Sequence, residues 1–235
     1  MFYIWLAALA PVAMLLYYIY RKDEFQKEPV KELLKAFGLG VASVFVSFLI
    51  SGPFGALGLY SAEQETIWDA IAVSFFGAAI PEEIAKFLMF WLLVRRNKHF
   101  DERMDGIVYA AAVSLGFAGF ENVMYLFSSE DWITTGVMRA LFAVPGHFFD
   151  GILMGYYYSL VRFDPLTPKI NWFWVLGAPI LAHGIYDSIL FTIEVCPGII
   201  ALVLSIVFIV FCNSLRKQAS KRIRAHLVKD GVVQQ

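Results

Sequence analysis

Ionisable side chains interrupt several long apolar stretches of this sequence. A charge at the middle of a bilayer costs roughly 3 kcal/mol on insertion scales, so such residues usually have a function or a specific partner. Carboxylates and imidazoles can act as general bases, proton carriers and zinc ligands. The residues concerned are Glu82, Glu83, Lys86, Glu121, Arg139, His147, Asp150, His183 and Asp187.

The carboxylates and imidazoles recur at one depth. Glu82 and Glu83 lie beside the midpoint of one apolar stretch, and His147 and His183 lie at the midpoints of two others. Glu121 lies about 6 Å from the middle of a fourth stretch, at the helical rise of 1.5 Å per residue. We therefore expect one site to which four helices contribute. The alternative is two separate ion pairs that hold helices together.

Helical spacing suggests partners within this layer. Glu82 and Glu83 are about 100° apart around a helix, and Lys86 is within ion-pair reach of either one. One glutamate can therefore be neutralised while the other faces a cavity. His183 and Asp187 are four residues apart on one helix face, so Asp187 could orient the imidazole for a metal ion or a proton.

Composition assigns the chain to the polytopic membrane proteins. Of its 235 residues, 59% are hydrophobic and only 17% are charged, and the net charge is −1. Mean hydropathy is +0.64. These values exclude a disordered protein, a basic nucleic-acid-binding module and an ordinary cytosolic enzyme. The apolar runs are too long for barrel strands, so we predict an all-α bundle of about seven transmembrane helices. The predicted spans are 2–20, 37–60, 68–94, 107–127, 133–161, 172–194 and 197–213.

Basic residues predict the orientation of these spans. Connecting segments with many basic residues alternate with segments that have none. Of the 19 lysines and arginines, 17 lie in the basic connecting segments or in the tail, and the alternate connecting segments, 61–67 and 128–132, have none. The positive-inside rule then places the N-terminus outside and the C-terminus in the cytoplasm. We interpret 1–213 as one membrane domain and 214–235 as a basic cytoplasmic tail.

The predicted site could support two kinds of function. Glu121, His147 and His183 have the ligand types of a catalytic Zn2+ ion, and Glu82 or Glu83 could deprotonate a bound water. This is the chemistry of peptide hydrolysis. The same groups could instead carry protons or metal ions through a coupled transporter. No inverted repeat is visible, which counts against the transporter.

Four short motifs follow one another on the predicted spans: EExxK at Glu82–Lys86, FxxxEN at Phe117–Asn122, an HxxxG-type motif at His147–Gly151 and HxxxD at His183–Asp187. In type and order they resemble the motifs of the PrsW family of intramembrane proteases, which are related to CAAX prenyl endopeptidases. The segments Tyr20–Pro29 and His99–Tyr109 are also similar to that family.

The resemblance implies a bacterial plasma-membrane metalloprotease. Family members are associated with site-1 cleavage of membrane-bound anti-sigma factors, so the implied partners are a single-span membrane protein and the lipid bilayer, with no nucleic acid. The implied catalytic residues are Glu82, Glu83, Lys86, Asn122 and Asp187, and the implied ligands of a Zn2+ ion are Glu121, His147 and His183.

Four points stay open on the sequence alone. The CAAX relatives resemble enzymes in which a glutamate activates water, so hydrolysis without a metal ion is an alternative to the Zn2+ site. Helical spacing makes Lys86 the better partner of Glu82, which leaves Glu83 for water, whereas analogy with the CAAX endopeptidases favours Glu82. Asn122 could stabilise an oxyanion or form a hydrogen bond between helices. Arg139 is expected to extend toward the outer interface, with recognition of substrate acid groups as the alternative.

Overall fold

A computed structural model describes residues 1–23, 26–164 and 168–231, without the side chains of 168–170. The described residues form helices joined by short loops, and no strand occurs among them. This confirms the predicted all-α membrane fold. The helices are α1 (Phe2–Lys22), α2 (Val30–Ala56), α3 (Ile67–Ala72), α4 (Ile80–Val94), α5 (Arg103–Ser128), α6 (Trp132–Met138), α7 (Val144–Phe163), α8 (Pro168–Val195) and α9 (Ile199–Lys229).

Six helical segments are long and apolar enough to cross a membrane: 2–22, 30–56, 103–128, 132–163, 171–195 and 199–229. The remaining predicted span corresponds to α3 and α4, which a π-helical turn joins into one continuous helix from Ile67 to Val94. Three charged side chains in its middle, Glu82, Glu83 and Lys86, make it more polar than the six.

Helix α5 is the centre of the bundle and is buried along most of its length. Small residues allow its neighbours to approach closely. A Cβ atom on Gly155 of α7 would overlap the carbonyl oxygen of Gly106, and one on Gly116 would overlap that of Phe37 in α2. The close backbone approach fixes the relative depth of α2, α5 and α7, and with it the depth of the polar side chains that they carry.

Two π-helical turns lie directly before predicted site residues. Val73–Ala79 precedes the Pro81-Glu82-Glu83 sequence, and Arg139–Ala143 precedes Pro145-Gly146-His147. Proline has no N–H to donate, which favours a local change in the helical hydrogen-bond pattern. Each π turn rotates the following helix relative to a regular α-helix.

Helix α9 extends beyond the predicted span at 197–213 and ends at Lys229. The predicted division between residues 213 and 214 therefore falls inside one helix. Leu215, Ala219, Ile223 and Leu227, spaced four residues apart, are buried. Their side chains give the first part of the basic tail an apolar face that packs on the bundle.

The described residues of Tyr20–Pro29 meet the segment His99–Tyr109 at the end of the bundle where α2 and α5 begin. We call it the basic end, because the connecting segments there are rich in lysine and arginine. The Tyr109 hydroxyl donates a hydrogen bond to the Glu28 carboxylate, and the Glu28 backbone N–H donates to Asp23 at 2.9 Å. Burial raises the pKa of Glu28 to about 7, against the opposing effect of the Tyr109 hydrogen bond.

Candidate active site

Side chains from α4, α5, α7 and α8 converge in one polar cluster. It includes the eight residues expected from the sequence, and a chain of contacts of 3.3 Å or less connects them. Two further residues, Arg139 and Asp150, belong to the same region. The alternative of two unconnected ion pairs does not describe this arrangement.

Lys86 is fully buried at the centre of the cluster. Its Nζ lies 2.8 Å from Glu83 Oε1, 3.3 Å from Glu82 Oε2 and 3.1 Å from His147 Nδ1. The ring of Phe117 lies beneath the ammonium group, with its centre 4.1 Å from Nζ. The ammonium group therefore connects the two glutamates of α4 to the imidazole of α7.

The two glutamates face different surroundings, and the difference is opposite to the one expected from helical spacing. Glu83 is fully buried and is the nearer partner of Lys86, whereas Glu82 lines a cavity. Spacing along the helix does not report how α4 is rotated against α2, α5 and α8, the helices on which it packs. The carboxylate available to water is therefore Glu82.

His183 lies between three carboxylates. Its Nδ1 is 2.9 Å from Glu83 Oε1, and its Nε2 is 3.2 Å from Asp187 Oδ2 and 3.9 Å from Glu82 Oε2. Contacts on both nitrogens fix the plane of the ring. Asp187 thus occupies the position expected from its four-residue spacing.

Glu121 connects His147 to Arg139. His147 Nε2 lies 3.0 Å from Glu121 Oε2, and Arg139 Nη2 donates to the same oxygen at 2.6 Å. The expectation that Arg139 extends to the outer interface is wrong, because its guanidinium turns inward onto the ring of Tyr125. A partly buried carboxylate needs a cation nearby, and Arg139 is that cation.

Asn122 is fully buried and lies outside the cavity lining. Its Nδ2 donates to the carbonyl oxygen of Ala8 at 2.8 Å, and its Oδ1 accepts from Arg139 Nε at 2.6 Å. This geometry matches the helix-packing alternative, because Nδ2, the atom that would donate to an oxyanion, is directed to α1 instead of the cavity.

A cavity of about 360 Å³ adjoins the cluster. This is far more than the roughly 30 Å³ that a water molecule occupies in the liquid. Apolar side chains, including Phe142, Phe191 and Phe208, form much of its wall. The polar part of the wall consists of Glu82, Glu121, Tyr125, Arg139, His147, Asp150, His183, Tyr186, Asp187 and Glu194. The cavity has room for water and for a short stretch of polypeptide.

Asp150, which from the sequence could orient the His147 imidazole, belongs to the site. It is buried, it lines the cavity, and its Oδ1 has no hydrogen-bond partner. The signal that points to it is its position three residues after His147 on one helix face. The second unpartnered carboxylate oxygen in this region is Oε2 of Glu83.

Two sets of side chains could hold a metal ion, each with ligand atoms within 4.8 Å of one another. One contains Glu83, His147, Asp150 and His183, and the other contains Glu82, Glu121 and His147. His147 is common to both, whereas the predicted ligands Glu121 and His183 fall in different sets.

The side chains fit a divalent ion with nitrogen and oxygen ligands. The ring centres of His147 and His183 are 5.2 Å apart. Two imidazoles on one tetrahedral zinc ion, with Zn–N distances of about 2.1 Å, have ring centres roughly 5 Å apart. The unpartnered oxygens of Glu83 and Asp150 add negative charge beside these rings. Glu83, 2.9 Å from His183 Nδ1, could then orient that imidazole by accepting its N–H.

Comparison with known proteins identifies the family. Residues 28–213 match the model of the PrsW family intramembrane metalloproteases. The chain is 38% identical over 192 residues to a protein named Protease PrsW from Bacillus subtilis (strain 168), covering 81% of this chain and 84% of that one. It is 31% identical over 210 residues to Protease PrsW of Clostridioides difficile (strain 630), covering 88% and 86%. No solved structure matches the chain.

These matches agree with the fold and the site. Six candidate membrane spans together with bacterial relatives show a multi-pass bacterial membrane protein. Relatives named as proteases support hydrolysis over the transport alternative. The chain therefore belongs to the PrsW family of intramembrane metalloproteases.

Proposed function

We propose that Glu82 activates a water molecule for hydrolysis of a peptide bond in the cavity. The observation that carries this proposal is the contrast between the two glutamates of α4. Glu82 lines the cavity, whereas Glu83 is fully buried against Lys86 and His183. A general base must reach the proton that it removes, and only a carboxylate in the cavity can do so.

The proton follows a balanced path in this proposal. Glu82 takes a proton from water as the oxygen attacks the scissile carbonyl carbon. The C–N bond then breaks, and the protonated Glu82 gives the proton to the leaving amine. Lys86, 3.3 Å from Glu82 Oε2, keeps this carboxylate in place and acts as a positioning residue. Arg139, in the cavity wall, can stabilise the negative charge that develops on the carbonyl oxygen.

We propose Zn2+ as the metal of this site, with its ligands drawn from Glu121, His147 and His183: His147 belongs to both candidate sets, His183 to the first and Glu121 to the second. Imidazole and carboxylate ligands suit zinc, and three protein ligands leave a position for water. When bound, zinc lowers the pKa of that water and polarises the substrate carbonyl. Glu82 belongs to the same ligand-atom set as Glu121 and His147, so it is close enough to hold the water.

The proposed substrate is a single-span membrane protein, and the proposed reaction is site-1 cleavage of an anti-sigma factor. The support is the cavity's position among membrane-spanning helices and its mixed wall. Phe142, Phe208 and Leu215 offer apolar surface to a transmembrane segment, beside the polar groups that would act on its backbone. Extracytoplasmic stress signalling is the biological setting that this substrate implies.

Cleavage of a co-expressed anti-sigma factor tests the proposal. Wild-type protein should cleave it, and Glu82→Gln should abolish cleavage while the protein accumulates to the wild-type level. Glu63→Gln is the control and should remain active, because Glu63 is exposed and does not line the cavity. Cleavage that persists in Glu82→Gln would refute the role of Glu82. Cleavage of other single-span proteins but of no anti-sigma factor would refute only the substrate.

Metal analysis separates the role of Glu82 from that of the ligands. Purified Glu82→Gln should retain zinc although it is inactive, whereas His147→Ala and His183→Ala should lose both zinc and activity. If Glu82→Gln loses zinc as completely as His147→Ala, Glu82 is a ligand and the water is activated by another group. Metal-free protein that remains active in chelator would contradict the zinc site.

A further inference from the structure

We propose that Asp23, Glu102 and Asp105 form a second site, at the basic end, for a divalent cation with oxygen ligands. The proposal does not depend on the hydrolytic mechanism. Asp105 and Glu121 are both on α5, sixteen residues apart, which is about 24 Å along the helix at 1.5 Å per residue. The two sites therefore have separate ligands.

Three carboxylates from two segments meet at this position. One oxygen from each of Asp23, Glu102 and Asp105 lies within 4.8 Å of the other two. Asp23 follows α1, and the other two residues lie at the start of α5. Asp23 and Asp105 are buried, so water cannot freely compensate their charges.

Each of the three carboxylates has a buried oxygen that receives no hydrogen bond from an N–H or hydroxyl donor: Oδ1 of Asp23, Oε1 of Glu102 and Oδ1 of Asp105. The Asp105 carboxyl also lies against the carboxyl group of Glu28. In both aspartates, Oδ2 accepts from the backbone: Asp23 from the Glu28 N–H at 2.9 Å, and Asp105 from the Glu102 N–H at 2.6 Å. The backbone thus holds the aspartates in fixed orientations and leaves one oxygen of each for a ligand.

The residues around the three carboxylates add negative charge, and no described lysine or arginine is in salt-bridge contact with them. Glu28, Asp101 and Asp230 lie nearby, and the positive charge of Lys27 acts on Asp23 more strongly than the negative charge of Asp230 does. Within the described part of the chain, no lysine or arginine forms a salt bridge with Asp23, Glu102 or Asp105. Arg103 instead contacts Asp230 at 3.3 Å. Buried carboxylates without a cation are costly, and a divalent ion would offset that cost.

The ligand atoms indicate the class of ion. A set made only of carboxylate oxygens, with no histidine or cysteine, suits Mg2+, Ca2+ or Mn2+ rather than zinc. Such an ion would tie the end of α1 to the start of α5. Asp230, just after α9, accepts from the Met104 backbone N–H at 3.0 Å, so the same junction reaches the C-terminal helix.

Mn2+ binding to the full-length chain tests the second site. The His147→Ala/His183→Ala variant removes two of the three proposed zinc ligands, and its remaining Mn2+ binding can be measured by electron paramagnetic resonance. We expect one bound ion per chain. Adding Asp23→Asn or Glu102→Gln should weaken binding at least by the roughly tenfold loss that even outer-shell changes cause. Glu32→Gln, at the same end but outside the set, should leave binding unchanged.

Two outcomes would overturn the proposal. One is the absence of bound Mn2+ in the double-histidine variant, and the other is binding that both carboxylate substitutions leave unchanged. Thermal unfolding covers the case in which a substituted protein does not fold. In the double-histidine variant alone, Mn2+, Mg2+ or Ca2+ should raise Tm as its concentration rises. If none of these three ions raises Tm, the carboxylates of Asp23, Glu102 and Asp105 share protons and do not bind a divalent cation.

Discussion

Replacement of Lys86 tests the electrostatic centre of the site. Lys86→Met removes the buried ammonium that lies 2.8 Å from Glu83 and 3.3 Å from Glu82. Glu83 then remains fully buried without its cation. Loss of one partner of a buried ion pair costs about 3–5 kcal/mol, because the remaining charge is uncompensated. We therefore expect the free energy of unfolding to fall by about that amount and cleavage to be lost.

The chain contains a matched control for this substitution. Lys35 and Glu32 form a pair with the same three-residue spacing and an N···O distance of 2.7 Å, but Lys35 is 52% exposed. An exposed pair contributes about 0–1 kcal/mol, so Lys35→Met should have a small effect. The two substitutions differ mainly in burial, and their comparison isolates its contribution.

A double-mutant cycle completes the test. Glu83→Gln in the Lys86→Met protein removes the uncompensated charge, so the double variant should be more stable than the sum of the single effects predicts. The expected coupling is on the order of 1–3 kcal/mol. The assay is chemical or thermal unfolding of purified protein in detergent. A Lys86→Met protein as stable as Lys35→Met, or additive effects in the cycle, would refute the buried ion pair.

Three further predictions concern packing. Asn122→Ala should reduce the free energy of unfolding by about 1–3 kcal/mol. Its kcat per folded molecule should fall by much less than the 10²–10³-fold loss that removal of an oxyanion donor causes, and a loss of that size would indicate a catalytic role. Gly155→Ala should destabilise the protein by about 1–3 kcal/mol, because the added methyl group overlaps Gly106. Gly38→Ala is the control and should not destabilise it, since Gly38 has open space around it. Equal unfolding midpoints for the two variants would contradict the packing of α5 on α7. Ile223→Asp should lower Tm and exposed Lys221→Asp should not, and equal Tm values would show that the last part of α9 is not docked.

The sequence predicts the layer of polar groups because depth along a helix follows from residue number. Spans containing Glu82, His147 and His183 place these residues near one level, whatever the exact packing. The apolar composition of the same spans predicts the all-α fold. Both inferences use local periodicity and length, which do not depend on how helices pack against one another.

Rotation of the helices could not be predicted in the same way. The choice between Glu82 and Glu83 depends on a rotation of about 100°, which is set by how α4 packs on α2, α5 and α8. Arg139 starts the second π turn and faces inward to Glu121, a partner on another helix. The carboxylates at the basic end are brought together by tertiary contacts between segments about eighty residues apart. No pattern within either segment indicates them.

Accessibility of the two glutamate positions to water tests the central claim most directly. In a protein with Cys196→Ser and Cys212→Ser, Glu82→Cys and Glu83→Cys each introduce a single thiol whose reaction with a small polar thiol reagent can be timed. We predict rapid modification of the thiol at position 82 and little at position 83, because only the first lines the cavity. Equal protection of both positions, or faster modification at position 83, would contradict a hydrated cavity in which Glu82 activates water.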